Sequence, residues 1–256
     1  MTEPAIPTIK RSGSRFYVHP TSQEKVPSVT SVNGMLPKKA LQYWRGKLVA
    51  ETAVEDLSVV VDLVAKGTPS AAVDHLKRAP DRSSGKAAKT GTDVHELCER
   101  LNRGEDVGRV HPDLAGFIDQ YGKFLDAFQP KVIEVEATAW SETHQYAGTL
   151  DWIAEIDGEV VIGDLKTGAS GIWPEVSLQL EAYRRADYLI DPDGTQRPVP
   201  VVSGGCALHL RPDFFSLIPI RLGDDVWETF QALLKVSTWE HQIAKTVIGK
   251  TPVDPI

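Results

Sequence analysis

The stretch GTLDWIAEIDGEVVIGDLKTG, from Gly148 to Gly168, constrains the fold of this chain more than any other. It consists of two largely apolar runs joined by Asp157-Gly158. This pair favours a type I′ turn, because both central positions of that turn require positive φ. Apolar and β-branched runs on either side of such a turn are typical of paired strands. The sequence therefore predicts a tight β-hairpin.

Three charged residues share one face of the predicted hairpin. Counting outward from the turn places Asp151 opposite Asp164, and alternation along the strand places Lys166 on the same face as Asp164. Ile153 and Ile162 share that face. Two opposed carboxylates are unfavourable in a sheet, unless a cation lies between them or they share a proton. The pattern is typical of a cleft floor; the alternative is a solvated salt-bridge cluster at a sheet edge.

The triplet Asp164-Leu165-Lys166 suits metal-dependent hydrolysis. Hard cations such as Mg²⁺ prefer oxygen ligands and can lower the pKa of a bound water. A lysine two residues from a ligand could orient that water, or could act as a base if its pKa were depressed. The triplet alone is a weak signal, because such short patterns occur by chance in many proteins.

Composition limits the classes of protein. The chain has 256 residues, which suits one large domain or a core with an added lobe. Two cysteines, Cys98 and Cys206, exclude both a disulfide scaffold and a four-cysteine metal site within one chain. No apolar run is long enough to span a membrane and no signal-peptide core is present, so we expect a cytoplasmic protein. The net charge of -7 argues mildly against a nucleic-acid binder, but a site can be locally positive or neutralised by metal ions.

Periodicity and turn residues predict an α/β fold, with a central mixed β-sheet flanked by helices and a helical region before it. Residues 1–30 are expected to be extended or loop-like, and a basic loop is expected at 78–91, before a helix that begins near Asp93. Further helices are predicted at 112–128, 174–190 and 224–247, and further strands at 131–140, 205–210 and 214–220. We expect an N-terminal extended and helical region at 1–90, a core at 91–222 and a C-terminal helix at 223–256.

Four short motifs follow one another along the chain. They are GTDVH with Gly91 and His95, GTLD with Gly148 and Asp151, DLK from Asp164 to Lys166, and QLEAY with Gln179 and Tyr183. On these residues the chain resembles the PD-(D/E)XK nuclease superfamily, in its RecB-like branch and particularly the phage-encoded exonucleases. PSVTSVNGML, residues 27–36, is similar to an N-terminal segment of these phage proteins, and the resemblance extends to about residue 220.

The resemblance implies a restriction-endonuclease-like αβββαβ core with a metal site. By it, His95, Asp151 and Asp164 are the side-chain ligands of Mg²⁺ or Mn²⁺. Asp151, Asp164 and Lys166 are then the catalytic residues. Without the motif order, a single helical histidine such as His95 would be interpreted as structural.

Further residues are assigned supporting roles. Gln179 and Tyr183 lie four apart and so share one helix face, and the resemblance suggests that they hold the active site or DNA. Glu136, on the preceding strand, could be a further acid near the metals, although we expect Glu134 to share its face. Three basic residues of the predicted loop could guide DNA: Arg82, Lys86 and Lys89.

The resemblance implies a metal-dependent DNA exonuclease that acts on single-stranded DNA or duplex ends in phage recombination, repair or replication, in the host cytoplasm. The alternatives are a structure-selective endonuclease on the same core and a catalytically silent DNA-binding subunit; the intact Asp151, Asp164 and Lys166 argue against the second. The CRISPR-associated members of this branch carry a four-cysteine iron–sulfur cluster, which two cysteines cannot supply. No cluster and no ATP site are expected. Strand polarity, oligomeric state and any recombination or replication partner stay open.

Overall fold

The computed structural model describes residues 4–249, and contacts divide the chain into two units. One unit combines the residues up to Leu36 with those from Val94 onward, and the other is Pro37–Asp93. The predicted boundary at residue 90 lies near this junction. Two differences follow: the N-terminal residues belong with the core rather than with the helical region, and the C-terminal helix packs into the same core through Phe230.

The strands are β1 (Thr8–Arg11), β2 (Ser14–Val18), β3 (Lys25–Pro27), β4 (Lys131–Val135), β5 (Thr138–Ser141), β6 (Tyr146–Thr149), β7 (Trp152–Ile156), β8 (Glu159–Lys166), β9 (Tyr188–Ile190), β10 (Gln196–Arg197), β11 (Gly204–Leu210) and β12 (Phe215–Ile220). The helices are α1 (Val29–Asn33), α2 (Lys39–Glu55), α3 (Leu57–Ala65), α4 (Pro69–Lys77), α5 (Ala79–Asn102), α6 (Pro112–Phe128), α7 (Glu175–Arg184) and α8 (Asp224–Thr238), and a π-helical turn, Trp239–Ile243, follows α8. Within residues 4–249, no helix combines the length and the apolarity that crossing a bilayer requires.

The first unit is built on a mixed five-stranded sheet in the order β12-β11-β8-β7-β4. Only β8 and β11 run parallel, and α7 lies between them in the chain, as a crossover helix must. With α6 before β4, the core follows the order helix, three strands, helix, strand. The predicted α/β class is confirmed: a mixed sheet lies between helices.

Side chains of β8 and β11 alternate between two apolar layers. Leu165 and Leu208 pack towards α6, whereas Ile162 and Ala207 pack towards α7 and α8. Because both faces are buried, both strands read as nearly continuous apolar runs. This packing holds the carboxyl ends of β8 and β11 in a fixed position.

The hairpin forms with the predicted turn and register. Asp157 and Gly158 have φ of 49° and 82°, as a type I′ turn requires. Ile153 lies opposite Ile162. Asp151 and Asp164, which were predicted to lie opposite each other, are not a pair of this ladder. The ladder ends one position before them, where Trp152 lies opposite Gly163.

The chain bends at Leu150 and Asp151, and this bend divides one predicted strand into two. β6 belongs to a four-stranded antiparallel sheet, β10-β9-β5-β6, whereas β7 belongs to the central sheet. The predicted strand 131–140 is divided in the same way, into β4 and β5, at Glu136, which has φ of 48°. Asp151 and Glu136 therefore both lie where the chain passes from one sheet to the other.

Residues 78–91 are not the predicted basic loop. Residues 79–91 are helical in α5, which begins at Ala79, so Asp93 does not start a helix. Ala87 and Ala88 are strong helix formers, and the Ser84 hydroxyl donates to the carbonyl of Pro80 at 2.8 Å. The serine and glycine that suggested a loop are thus accommodated within the helix.

Three further boundaries differ from prediction. Residues 1–30 contain the three-stranded sheet β1-β2-β3 instead of loop alone. The helix predicted at 174–190 ends at Arg184, because Tyr188–Ile190 pairs with β5 as strand β9. The last α-helix ends at Thr238 rather than near residue 247. In both helices the apolar periodicity continues past the last helical residue, so the sequence pattern alone misplaces the end of the helix.

Candidate metal and catalytic site

Five of the predicted site residues line one cavity of about 180 Å³: His95, Asp151, Asp164, Lys166 and Gln179. Thr30, from the PSVTSVNGML segment, also lines it. Nothing in its own sequence pattern assigned Thr30 to the site; the similarity of the segment to phage exonucleases was the only signal.

Asp151 is held by two hydrogen bonds at the bend between β6 and β7. Its Oδ2 accepts from the backbone N–H of Leu165 at 2.7 Å, so the side chain satisfies a donor just beyond the end of the ladder. Its backbone carbonyl accepts from the N–H of Glu136 at 2.9 Å. Burial raises the pKa of Asp151, and the positive charge of Lys166 opposes this. The carboxylate is thus fixed in place before any ligand binds.

The two carboxylate oxygens of Asp164 lie next to different partners, and Oδ2 is buried without a hydrogen bond. Gln179 donates from Nε2 to Oδ1 at 2.8 Å, and the ammonium of Lys166 lies 2.5 Å from Oδ2. Asp164 is 1% exposed. Burial raises its pKa, Lys166 lowers it and Asp151 raises it further. Asp164 and Lys166 therefore form a tight ion pair.

Lys166 is charged rather than poised as a neutral base. Burial disfavours its charge, but Asp164 and then Asp151 outweigh burial and raise the pKa of the ammonium. The side chain is 35% exposed, so its end reaches the cavity. Of the two roles considered from the sequence, orienting or binding through charge agrees with this direction of the pKa.

His95 contributes a buried, uncharged imidazole. Its Nδ1 lies 3.6 Å from Oδ2 of Asp151. Burial lowers the pKa of His95 to about 3, against the opposing effect of Asp164. A neutral imidazole has the lone pair that metal coordination requires.

Glu136 is closer to this centre than the sequence suggested. A register shift between Val132 and Glu134 precedes it in β4, and Glu136 itself adopts a left-handed conformation. Ligand atoms of His95, Glu136 and Asp151 all lie within 4.8 Å of one another. Glu134 does not share this environment, because it pairs with Arg197. The expectation that the two glutamates share a face is wrong.

Gln179 and Tyr183 connect the last motif to the others. Nε2 of Gln179 lies 3.3 Å from the Tyr183 hydroxyl as well as 2.8 Å from Asp164. Tyr183 packs against Gly148, where a Cβ would come within 2.6 Å of the Tyr183 ring. The absence of a side chain at Gly148 therefore leaves the space that the Tyr183 ring occupies.

A second small cavity adjoins the same centre. It is lined by His95, Glu136 and Asp151 together with residues to which the sequence assigned no role in the site: Cys98, Glu99, Asn102, Tyr121, Trp152 and Leu165. Tyr121 donates to Oδ1 of Asn102 at 2.6 Å. Glu99 follows His95 by four residues, and this spacing places both on one helix face. The spacing could therefore have identified Glu99 as a neighbour of the site.

The three basic residues proposed to guide DNA are exposed and lie in the part of α5 that belongs to the second unit: Arg82, Lys86 and Lys89. Lys89 pairs with Asp93 at 3.7 Å, and Arg82 donates to the carbonyl of His75 at 2.9 Å. Their role in binding DNA stays a prediction.

The donor set suits a hard divalent cation. One neutral imidazole and several carboxylates match the preferences of Mn²⁺ and Mg²⁺, whereas Cys98 and Cys206 are both buried free thiols. Neither the models of known protein families nor the sequences of curated proteins match this chain. Function must therefore be inferred from the residues of the site.

Proposed function

We propose that this protein is a divalent-metal-dependent nuclease. The observation that carries the proposal is the convergence of His95, Asp151, Asp164 and Lys166 on one cavity. A stability role alone does not explain two buried acids, a neutral histidine and a charged lysine at the end of a packed sheet. Phosphodiester hydrolysis uses this combination, because it requires metal ligands and a positive charge near the phosphate.

His95, Asp151 and Asp164 would hold the cation, which supplies charge neutralisation and lowers the pKa of a bound water. Lys166, charged and partly exposed, binds a phosphate oxygen or orients the attacking water. Gln179 fixes the Asp164 carboxylate through Oδ1. These residues are placed by packed strands and a helix, so the site is organised before substrate arrives.

Within this class we propose a DNA exonuclease that acts on single-stranded DNA or duplex ends in phage recombination, repair or replication. This narrower proposal is supported by the order of the four motifs and by the contacts among their residues. A structure-selective endonuclease on the same core is the second candidate. A silent DNA-binding subunit is disfavoured by the intact Asp164–Lys166 pair.

Incubation of end-labelled linear DNA and of circular DNA with Mg²⁺ or Mn²⁺ tests the proposal. We expect degradation of linear DNA from its ends, with circular DNA intact; nicking of circles would favour the endonuclease. Asp164→Asn and Lys166→Met should each abolish most hydrolysis. Asp213→Asn, a change at an exposed acid, is the matched control. Full activity in either site variant would contradict the proposal.

A further inference from the structure

We propose that the indole ring of Trp173 stacks on an unpaired nucleobase of the substrate, at the rim of the cavity that holds His95 and Asp164. The inference rests on the proposed function, because it concerns the substrate of the same site. It adds a binding surface that belongs neither to the four motifs nor to the lining of the cavity. Trp173 would bind the base, whereas the cavity would bind the phosphate.

The lining of the cavity suits a phosphate group and a cation but offers little surface to a nucleobase. Lys166 supplies a positive charge, and its side chain is 35% exposed. Among the described residues that line the cavity, Leu165 has the one wholly apolar side chain, and it is 4% exposed. Proteins that bind single strands hold the bases by stacking them on aromatic rings. A base whose phosphate lies at this cavity therefore needs an aromatic surface outside it.

Trp173 lies in a loop, residues 168–174, that begins and ends next to the cavity. Gly168 lines the cavity at the start of the loop, and Gln179 lines it from α7, which follows the loop directly. Oγ of Ser170 lies 4.0 Å from the position that a Cβ on Gly168 would occupy, and it accepts from Nε1 of Trp173 at 3.1 Å. Two successive contacts therefore connect the indole ring to the rim of the cavity.

Both ends of this loop are held by hydrogen bonds. At its start, His209 donates from Nε2 to the carbonyl of Gly168 at 2.8 Å. Arg211 donates to the preceding carbonyl, that of Thr167, at 2.5 Å. At its end, the carbonyl of Trp173 accepts from a backbone N–H in the first turn of α7 at 3.1 Å. Because the ring is positioned before substrate arrives, stacking a base on it costs little ordering of the protein.

The core of the protein does not use this ring. Trp173 is 46% exposed, whereas Trp152 is 5% exposed and packs against Phe124. Within residues 4–249, no other aromatic ring and no cationic side chain packs on Trp173. Its neighbour Ile172 packs against the main core instead. A half-exposed aromatic ring at the rim of a polar cavity is therefore available to stack on a base.

Hydrolysis of two single-stranded substrates in Mn²⁺ tests the inference. One is oligothymidylate, and the other is a chain of the same length in which every base is absent. We expect Trp173→Leu to lower kcat/KM for oligothymidylate by about tenfold and to leave that for the abasic chain unchanged, because stacking requires a base. Trp173→Phe should retain most of the preference for bases. Trp239→Leu, at a second half-exposed tryptophan outside the cavity lining, is the matched control and should behave like the wild type.

Equal losses on both substrates in Trp173→Leu, or an unchanged preference for bases, would overturn the inference and leave the nuclease proposal standing. A Trp173→Phe variant that is as poor as Trp173→Leu would also overturn it. Absence of hydrolysis of either substrate by the wild type in Mg²⁺ and Mn²⁺ would overturn both proposals. Thermal melts show whether each variant is folded. If Trp173→Leu does not fold, Ser170→Ala removes the hydrogen bond that orients the ring and is expected to show a smaller loss, again confined to oligothymidylate.

Discussion

Replacing Asp164 with asparagine should destabilise the protein in the absence of metal by about 1 kcal/mol. Repulsion between opposed acids, as expected from the sequence, would give the opposite sign. In the structure Lys166 already neutralises Asp164, at 2.5 Å from Oδ2. An asparagine that keeps its oxygen towards Gln179 turns its amide donors towards the ammonium, so the ion pair is replaced by two facing donors.

The magnitude follows from two opposing contributions. Leaving the Lys166 ammonium without its charged partner costs roughly 1.5–3 kcal/mol, and the lower end applies because the Lys166 side chain is 35% exposed and screened by water. Relief of the burial cost of the carboxylate and of the repulsion from Asp151 together returns about 0.5 kcal/mol. The difference, about 1 kcal/mol, lowers the melting temperature of a protein of this size by roughly 2–4 °C.

Thermal melts in chelator at pH 7.5 measure this difference, and a double-mutant cycle assigns its cause. In the background of Lys166→Met, the same Asp164→Asn change should become neutral or stabilising, because the acid then has only Asp151 as a charged neighbour. An Asn variant that melts at or above the wild-type temperature would refute the reasoning, and so would an equal loss in both backgrounds.

Three other outcomes are expected. Unfolded His95 binds a proton near pH 6.5 but folded His95 only near pH 3, so stability in chelator should fall by about 1.4 kcal/mol per pH unit below pH 6, and urea titrations of His95→Gln should lack this contribution. Gly148→Ala should lose roughly 1–3 kcal/mol through overlap with Tyr183, whereas Gly204→Ala, with open space around its Cβ position, should not. Asp151→Ala leaves a buried backbone amide without its acceptor and should lose roughly 1–3 kcal/mol in the same denaturation assay, more than Asp151→Asn.

Local sequence signals correctly predicted the structural elements that are determined by interactions between residues close in the chain. The Asp157-Gly158 turn sets the register of its hairpin, because two adjacent positive φ angles leave few alternatives. α6 begins at the predicted Pro112 and ends at the predicted Phe128. Proline in the first turn is an intrinsic start signal, and an apolar stripe continues to the end of the helix.

Tertiary contacts decided the features that the sequence did not predict. Nothing in the run from Gly148 to Ile156 marks the bend at Asp151, because that bend arises from pairing with two different sheets. Tyr188–Ile190 is compatible with a continued helix and becomes a strand only because β5 is beside it. Long-range pairing overrides local preference in both cases.

In the candidate site, too, local sequence signals predicted some features and tertiary contacts decided others. Motif spacing identified the residues that line the cavity: His95, Asp151, Asp164, Lys166 and Gln179. It did not predict the left-handed conformation of Glu136, φ 48°, which has no local sequence marker. Side-chain alternation, applied to an ideal strand, places the two glutamates on the same face.

The bend at Asp151 has a consequence for partly folded chains. Asp151 takes its position only when β6 has joined one sheet and β7 the other, and Glu136 only when β4 and β5 have done the same. On the proposed function, a nascent or locally opened molecule that has formed just one of these sheets has no preassembled ligand group, so cation affinity would arise together with complete folding. On the proposed function, such an intermediate cannot cut nucleic acid, and activity is confined to molecules that have finished folding.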